Sequence, residues 1–118
     1  MKQVELDELT SINGFIGACL VDSDSGMVLG MVGGGQINLD VAAAGNTEVV
    51  KAKRKTMQSL GLDDKIEDIL ITLGTQYHLI RPLKSNEAVF LYIALLRSQA
   101  NLGMARISLA TFEKGISL

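Results

Sequence analysis

Cysteine and histidine each occur once in this chain, and their scarcity closes most of the usual routes to side-chain chemistry. Cys19, standing alone, has no partner for an internal disulfide, so the fold must hold without covalent staples. A Ser-His-Asp or Cys-His arrangement would have to recruit His78, which stands beside Tyr77 and Leu79 in an alternating segment and reads as an ordinary strand histidine. Cys19 lies in the apolar run Gly17-Ala18-Cys19-Leu20, where a thiol behaves as a small buried hydrophobe. An excess of basic charge is missing too. Eleven Lys and Arg against 13 Asp and Glu leave a net charge of −2, so no positive field gathers phosphate backbones and nucleic acid is not the expected partner. The longest unbroken apolar run, Val89 to Leu96, falls far short of the roughly 20 residues of a membrane-spanning helix. The start of the chain shows no basic n-region, apolar h-region or small-residue cleavage site. The expectation is a cytoplasmic protein with no direct membrane insertion.

What is present suits one folded domain over residues 1–118. Hydrophobic residues make up 47% and charged residues 20%, the ordinary globular mixture. A chain of this length can bury roughly two-thirds of its unfolded surface. Leu6, Leu9 and Ile12 at helical spacing, with Glu5, Asp7 and Glu8 at the positive end of the dipole, predict a short helix over residues 3–12, ended by Gly14. Phe15 to Asp22 and Met27 to Val32 are apolar runs separated by Ser23-Asp24-Ser25-Gly26, the residues of a tight reversal, and predict a β-hairpin. Gly33-Gly34-Gly35 reads as a loop. Asn38 can cap a long helix running to about Leu60, with Gly61 where a left-handed residue commonly ends one. Leu39, Ala42, Ala43, Val49, Val50, Met57 and Leu60 share a stripe on that helix, and Asp40, Glu48, Lys51, Arg54, Lys55 and Gln58 lie opposite. Asn46 and Lys53 fall inside the apolar stripe, where an unpaired amide or ammonium is costly to bury.

Three more strands are legible: Lys65 to Leu73, Gln76 to Leu83 and Ala88 to Leu96. Because Val89 to Leu96 is apolar at every position, that strand must be central and covered on both faces. Ser98 can cap a last helix to about Lys114. One stripe of it holds Leu102, Ala105, Leu109 and Phe112, and a second, nearly opposite, holds Ala100, Met104 and Ile107. The second stripe needs the first helix or a partner protein to hide it. Short connections favour antiparallel neighbours, giving an α+β sandwich in the order α-β-β-α-β-β-β-α.

No motif calls for a metal or cofactor. Asp22-x-Asp24-x-Gly26 starts like a calcium loop, but the glycine is one place early and Gly33 stands where glutamate should close the loop. Glu67 and Asp68, as strand neighbours, would point to opposite faces and could not act as a dyad. No Gly-Lys-Ser/Thr follows the glycine triplet, so it is no nucleotide loop. Lys51, Lys53, Arg54 and Lys55 form the one basic cluster, read as a solvated helix face or as a contact for an acidic protein surface.

Against that background the string Arg97-Ser98-Gln99-Ala100-Asn101-Leu102-Gly103-Met104-Ala105-Arg106 stands out. It resembles the start of the last helix in the roadblock/dynein light chain family, in its single-domain bacterial form. Ile12-Asn13-Gly14-Phe15-Ile16-Gly17-Ala18 leading into Leu20-Val21-Asp22, and Leu79-Ile80-Arg81-Pro82-Leu83 before the central strand, agree with it. The likeness covers nearly the whole chain, with a departure at Leu96, where an aspartate often precedes the arginine.

The resemblance implies a five-stranded antiparallel sheet between one long helix and two terminal helices, and dimers formed through the long helix and the third strand. The expected dimer residues are Asn46, Val49, Val50, Lys53, Met57, Ile69 and Ile71. It also implies a non-catalytic platform for a small Ras-like GTPase or, alternatively, a structural adaptor subunit like a dynein light chain. Arg97, Met104, Arg106 and Ile107 are the expected partner surface, with cap or ion-pair roles open for both arginines. A ligand-sensing module would need a pocket inside the sheet, which apolar filling at Phe90, Tyr92 and Ile93 disfavours.

Overall fold

A computed structural model describes residues 4–118. The strands β1 (Phe15–Asp22), β2 (Met27–Gly33), β3 (Ile69–Thr72), β4 (Gln76–Pro82) and β5 (Val89–Leu96) form one antiparallel sheet in the order β2-β1-β5-β4-β3. The helix α1 (Leu39–Ser59) connects β2 to β3, and α2 (Leu102–Glu113) follows β5. As its composition requires, β5 is central, and it is buried from Val89 through Leu95.

Alternation along β5 splits the core in two. Phe90, Tyr92 and Ala94 join Cys19, Val21 and Ile80 beneath Leu39, Ala43 and Val50 of α1. Leu91, Ile93 and Leu95 join Leu20 and Leu79 beneath Leu6, Leu9, Ala105 and Leu109 on the other face. Both faces are thus covered, α1 on one and the N-terminal segment with α2 on the other.

The long helix ends where the sequence places its ends. The Asn38 side chain accepts hydrogen bonds from the Asp40 and Val41 amides at 3.1 and 3.2 Å, and Gly61 is left-handed at φ +70°. Gly33, expected in the glycine loop, is instead the last residue of β2, paired with Gly17, and three other boundaries differ from expectation. The first helix is only a five-residue 3-10 turn, Asp7–Ser11, and Gln3 lies outside the described residues. Its two buried anchors, Leu6 and Leu9, are three residues apart, which suits the tighter 3-10 spacing. The last helix is capped by Asn101, whose Oδ1 accepts from the Met104 amide at 3.1 Å, and not by Ser98. Ser98 lies in a turn in which the Gln99 and Ala100 amides donate to the Leu96 carbonyl. The third strand is four residues long instead of running from Lys65 to Leu73; ahead of it Asp68 is bound by Arg106 of α2 and Lys65 by Glu87.

The second hairpin strand carries an irregularity. The register shifts so that Leu20 pairs with Gly30 but Val21 with Val28, leaving Leu29 as an extra residue. The Leu29 carbonyl accepts from the Val4 amide at 2.9 Å. A Cβ at Gly30 would collide with the Val4 carbonyl oxygen, so only glycine lets the N-terminal segment lie this close.

Two features of this core are testable. Arg81 Nε donates to Glu113 Oε1 at 2.5 Å with both side chains 5% exposed, and Glu113 Oε2 accepts from the Lys84 amide at 3.0 Å. This pair fastens the C-terminal turn of α2 to the end of β4. Glu113→Ala leaves a buried guanidinium unpaired and is expected to cost about 3–5 kcal/mol in urea unfolding, while the double variant Arg81→Met/Glu113→Leu recovers most of that loss. Cys19 is fully buried, and burial, with the Asp40 carboxylate as a smaller cause, pushes its thiol up to about 12. Iodoacetamide at pH 8 should therefore leave Cys19 unlabelled in the folded protein and alkylate it in urea, as read by intact mass.

Candidate functional site

The amphipathic stripe of α1 is wider than the sheet can use. Leu39, Ala43, Thr47 and Val50 face the core, and Thr47, a polar residue, fits there because its hydroxyl donates to the Ala43 carbonyl at 2.7 Å. The sheet therefore takes one side of the stripe and leaves the other turned outward. On that outward flank Ala42 is half-buried, Val49 is 37% exposed and Leu60 is 65% exposed. Asn46 and Lys53 lie on the same flank and carry no burial penalty in the single chain: the Asn46 amide donates to the Ala42 carbonyl at 2.8 Å, and Lys53 is exposed.

The expected dimer residues thus divide. Asn46, Val49 and Lys53 share the outward flank, and Met57 is half-buried near Pro82. Val50 must be removed from the set, because it is fully buried in the protomer's own core and offers nothing to a second chain. Ile69 and Ile71 sit on β3, an edge strand with a neighbour on one side only among the described residues, so a row of its N–H and C=O groups finds no strand partner there. Their side chains are half-buried on the face that carries α1. That helix packs over β1 and β2 and leaves the β3 end of the face thinly covered.

Between these elements His78, paired with Ile71 in the sheet, is tied at both ring nitrogens: Nδ1 to the Tyr92 hydroxyl at 3.1 Å and Nε2 to Gln76 Oε1 at 2.8 Å. A neutral ring with its proton on Nε2 satisfies both partners, and burial lowers its pKa below the usual 6.5, in the same sense. Tyr92, also buried, has its phenol pushed up to about 12. The trio is a polar clamp across β4 and β5, with the histidine held neutral.

The arginines of the expected partner surface are occupied within the chain. Arg97 donates to the Leu73 carbonyl at 2.8 Å and lies 5.2 Å from the Tyr77 ring centroid. Arg106 grips Asp68 with two hydrogen bonds of 2.9 and 3.2 Å. Arg106 ties the last helix to the start of β3, and Arg97 ties the turn after β5 to the turn between β3 and β4. Met104 and Ile107, 58% and 60% exposed, remain uncovered, because the 3-10 turn meets α2 on its Ser108 and Phe112 side instead.

Of the basic cluster, Lys51, Lys53 and Lys55 point to solvent. Arg54, expected on the solvated face, folds back to donate to the Glu87 carbonyl and lies 3.5 Å from the Ser23 hydroxyl. Among the described residues no group of three His, Cys, Asp or Glu side chains could hold a metal, and no helix is long and apolar enough to cross a membrane. Periodicity alone missed Asp68 and Glu113 as partners. The available signals were an arginine, Arg81, in the apolar run Leu79-Ile80-Arg81-Pro82-Leu83 and a lone acid late in the last helix.

No protein-family model and no curated protein sequence matches the chain. Solved structures do. The roadblock/LC7 domain from Streptomyces avermitilis superposes with a TM-score of 0.79 over 94% of this chain and 93% of that one, at 16% identity. Myxococcus xanthus MglB gives a TM-score of 0.74 at 19% identity over 90% of this chain and 85% of its own. The gliding protein MglB from Thermus thermophilus gives 0.68 at 18% identity over 94% and 87%. Superposition over 85% or more of each chain at such low identity shows that the chain has the roadblock fold.

Proposed function

We propose that this single domain is a non-catalytic, homodimeric interaction module of the roadblock family that serves as a platform or regulator for a small Ras-like GTPase. The observation that carries the reading is the unfinished face: an open β3 edge with Ile69 and Ile71, on the side of the sheet that carries α1, whose outward flank holds Val49, Asn46 and Lys53. A second copy related by a two-fold axis would complete the sheet and cover that flank with the same residues of its own. Self-association is known for one similar structure, an MglB with a tetrameric arrangement.

The GTPase half of the reading rests on the sequence resemblance and the shared fold. Such a platform need supply no reacting group, since ordering the switch loops of a GTPase completes that enzyme's own site. It is consistent with this role that Arg97 and Arg106 are held by intramolecular partners. A structural adaptor subunit is the competing reading, and the exposed Met104 and Ile107 suit either.

Light scattering is expected to give twice the 12.6 kDa of one chain at micromolar concentration, and the variant Val49→Asp/Ile71→Lys should give a folded monomer. A single-chain mass for the native protein would sink the dimer. Affinity capture from native cytosol, run with GDP and with a non-hydrolysable GTP analogue, should retain a small GTPase only with the analogue. Equal recovery of a non-GTPase partner in both would make the protein an adaptor.

A further inference from the structure

The face opposite α1 carries a groove of about 860 Å³ between the 3-10 turn and the C-terminal turn of α2. Its existence follows from the shortness of that turn. Leu6 and Leu9 are buried, but a five-residue element cannot reach far enough to cover Ile12, Phe112 and Ile116, which stay half-exposed on the groove's apolar wall. Three exposed carboxylates, Glu5, Asp7 and Glu8, stand on the rim. Among the described residues no lysine or arginine lines the groove, and none of these acids forms a salt bridge.

We propose that this groove docks a basic amphipathic segment of a partner protein, its apolar side chains on Ile12, Phe112 and Ile116 and its Lys or Arg side chains on the acidic rim. The volume suits the two or three anchors that one face of a short helix presents at i, i+3 or i+4, and i+7. Charge decides between occupants. A rim of three carboxylates repels an anionic lipid surface and leaves an uncharged ligand nothing to pair with, while a cationic peptide meets complementary charge on arrival. The groove lies on the sheet face away from α1, so dimerisation through α1 and β3 would leave it open. It stands or falls independently of that dimer.

The test is amide chemical-shift mapping with a 12-residue helical peptide bearing Leu at positions 3, 6 and 10 and otherwise Lys and Ala, beside a counterpart with Glu replacing each Lys. The Lys peptide should shift the amides of Ser11, Ile12, Thr111 and Gly115 and weaken as NaCl rises from 50 to 500 mM. The double variant Glu5→Lys/Glu8→Lys changes only exposed side chains; it should lose at least tenfold in affinity for the Lys peptide and gain binding to the Glu peptide. Shifts centred on α1 or on Met104 and Ile107, equal affinity for the two peptides, or an unchanged affinity after charge reversal would each overturn the proposal, as would no binding.

Discussion

Everything in this fold follows from the need to hide β5. Seven consecutive residues of that strand are buried, and at about 1.5–3 kcal/mol per large apolar side chain their exposure would cost more than a domain of this size can spare. A strand with no polar face must have strands on both edges and cover on both faces. Strands β1 and β4 supply the edges, α1 covers one face, and α2 with the N-terminal segment covers the other. The positions of the helices are consequences of this demand.

Cover on the two faces is held by different means. Hydrophobic contact through Leu39, Ala43 and Val50 holds α1, and few polar ties are added, such as Arg54 reaching the Glu87 carbonyl. The last helix buries less, chiefly Ala105 and Leu109, and is pinned at two points by charged groups: Arg106 on Asp68 and Arg81 on Glu113. The two ties differ in worth. The half-exposed Arg106 with Asp68 contributes about 0–1 kcal/mol, whereas the sealed Arg81–Glu113 pair fixes where the helix ends because neither charge tolerates being left alone.

Neither face is finished. On one, α1 shields β1 and β2 but only thinly the β3 end, and its own apolar stripe runs past the sheet. On the other, the 3-10 turn is too short to close the gap beside α2. A fold that spends its apolar residues this way keeps half-exposed surface on opposite sides, a disposition that suits contacts with more than one chain at once. The polar groups with chemical potential are meanwhile neutralised by their surroundings: His78 is held neutral between Tyr92 and Gln76, and the Cys19 thiol is raised far above neutrality by burial.

Local rules sufficed for whatever depends on the near neighbourhood of a residue. Asn38 and Gly61 bound α1 because caps satisfy backbone groups within one turn, and the unbroken apolar run of β5 announces its central place by itself. The tertiary structure decided what depends on distant residues. Asp68, just before β3, is held by Arg106, 38 positions on. Val50, eligible by periodicity for a dimer face, was claimed by the protomer's own core, while Val49 beside it was left outside. A helical stripe gives the width of the apolar surface but not the direction from which the sheet approaches. That direction is set by packing across the whole chain, and with it which residues remain for a partner.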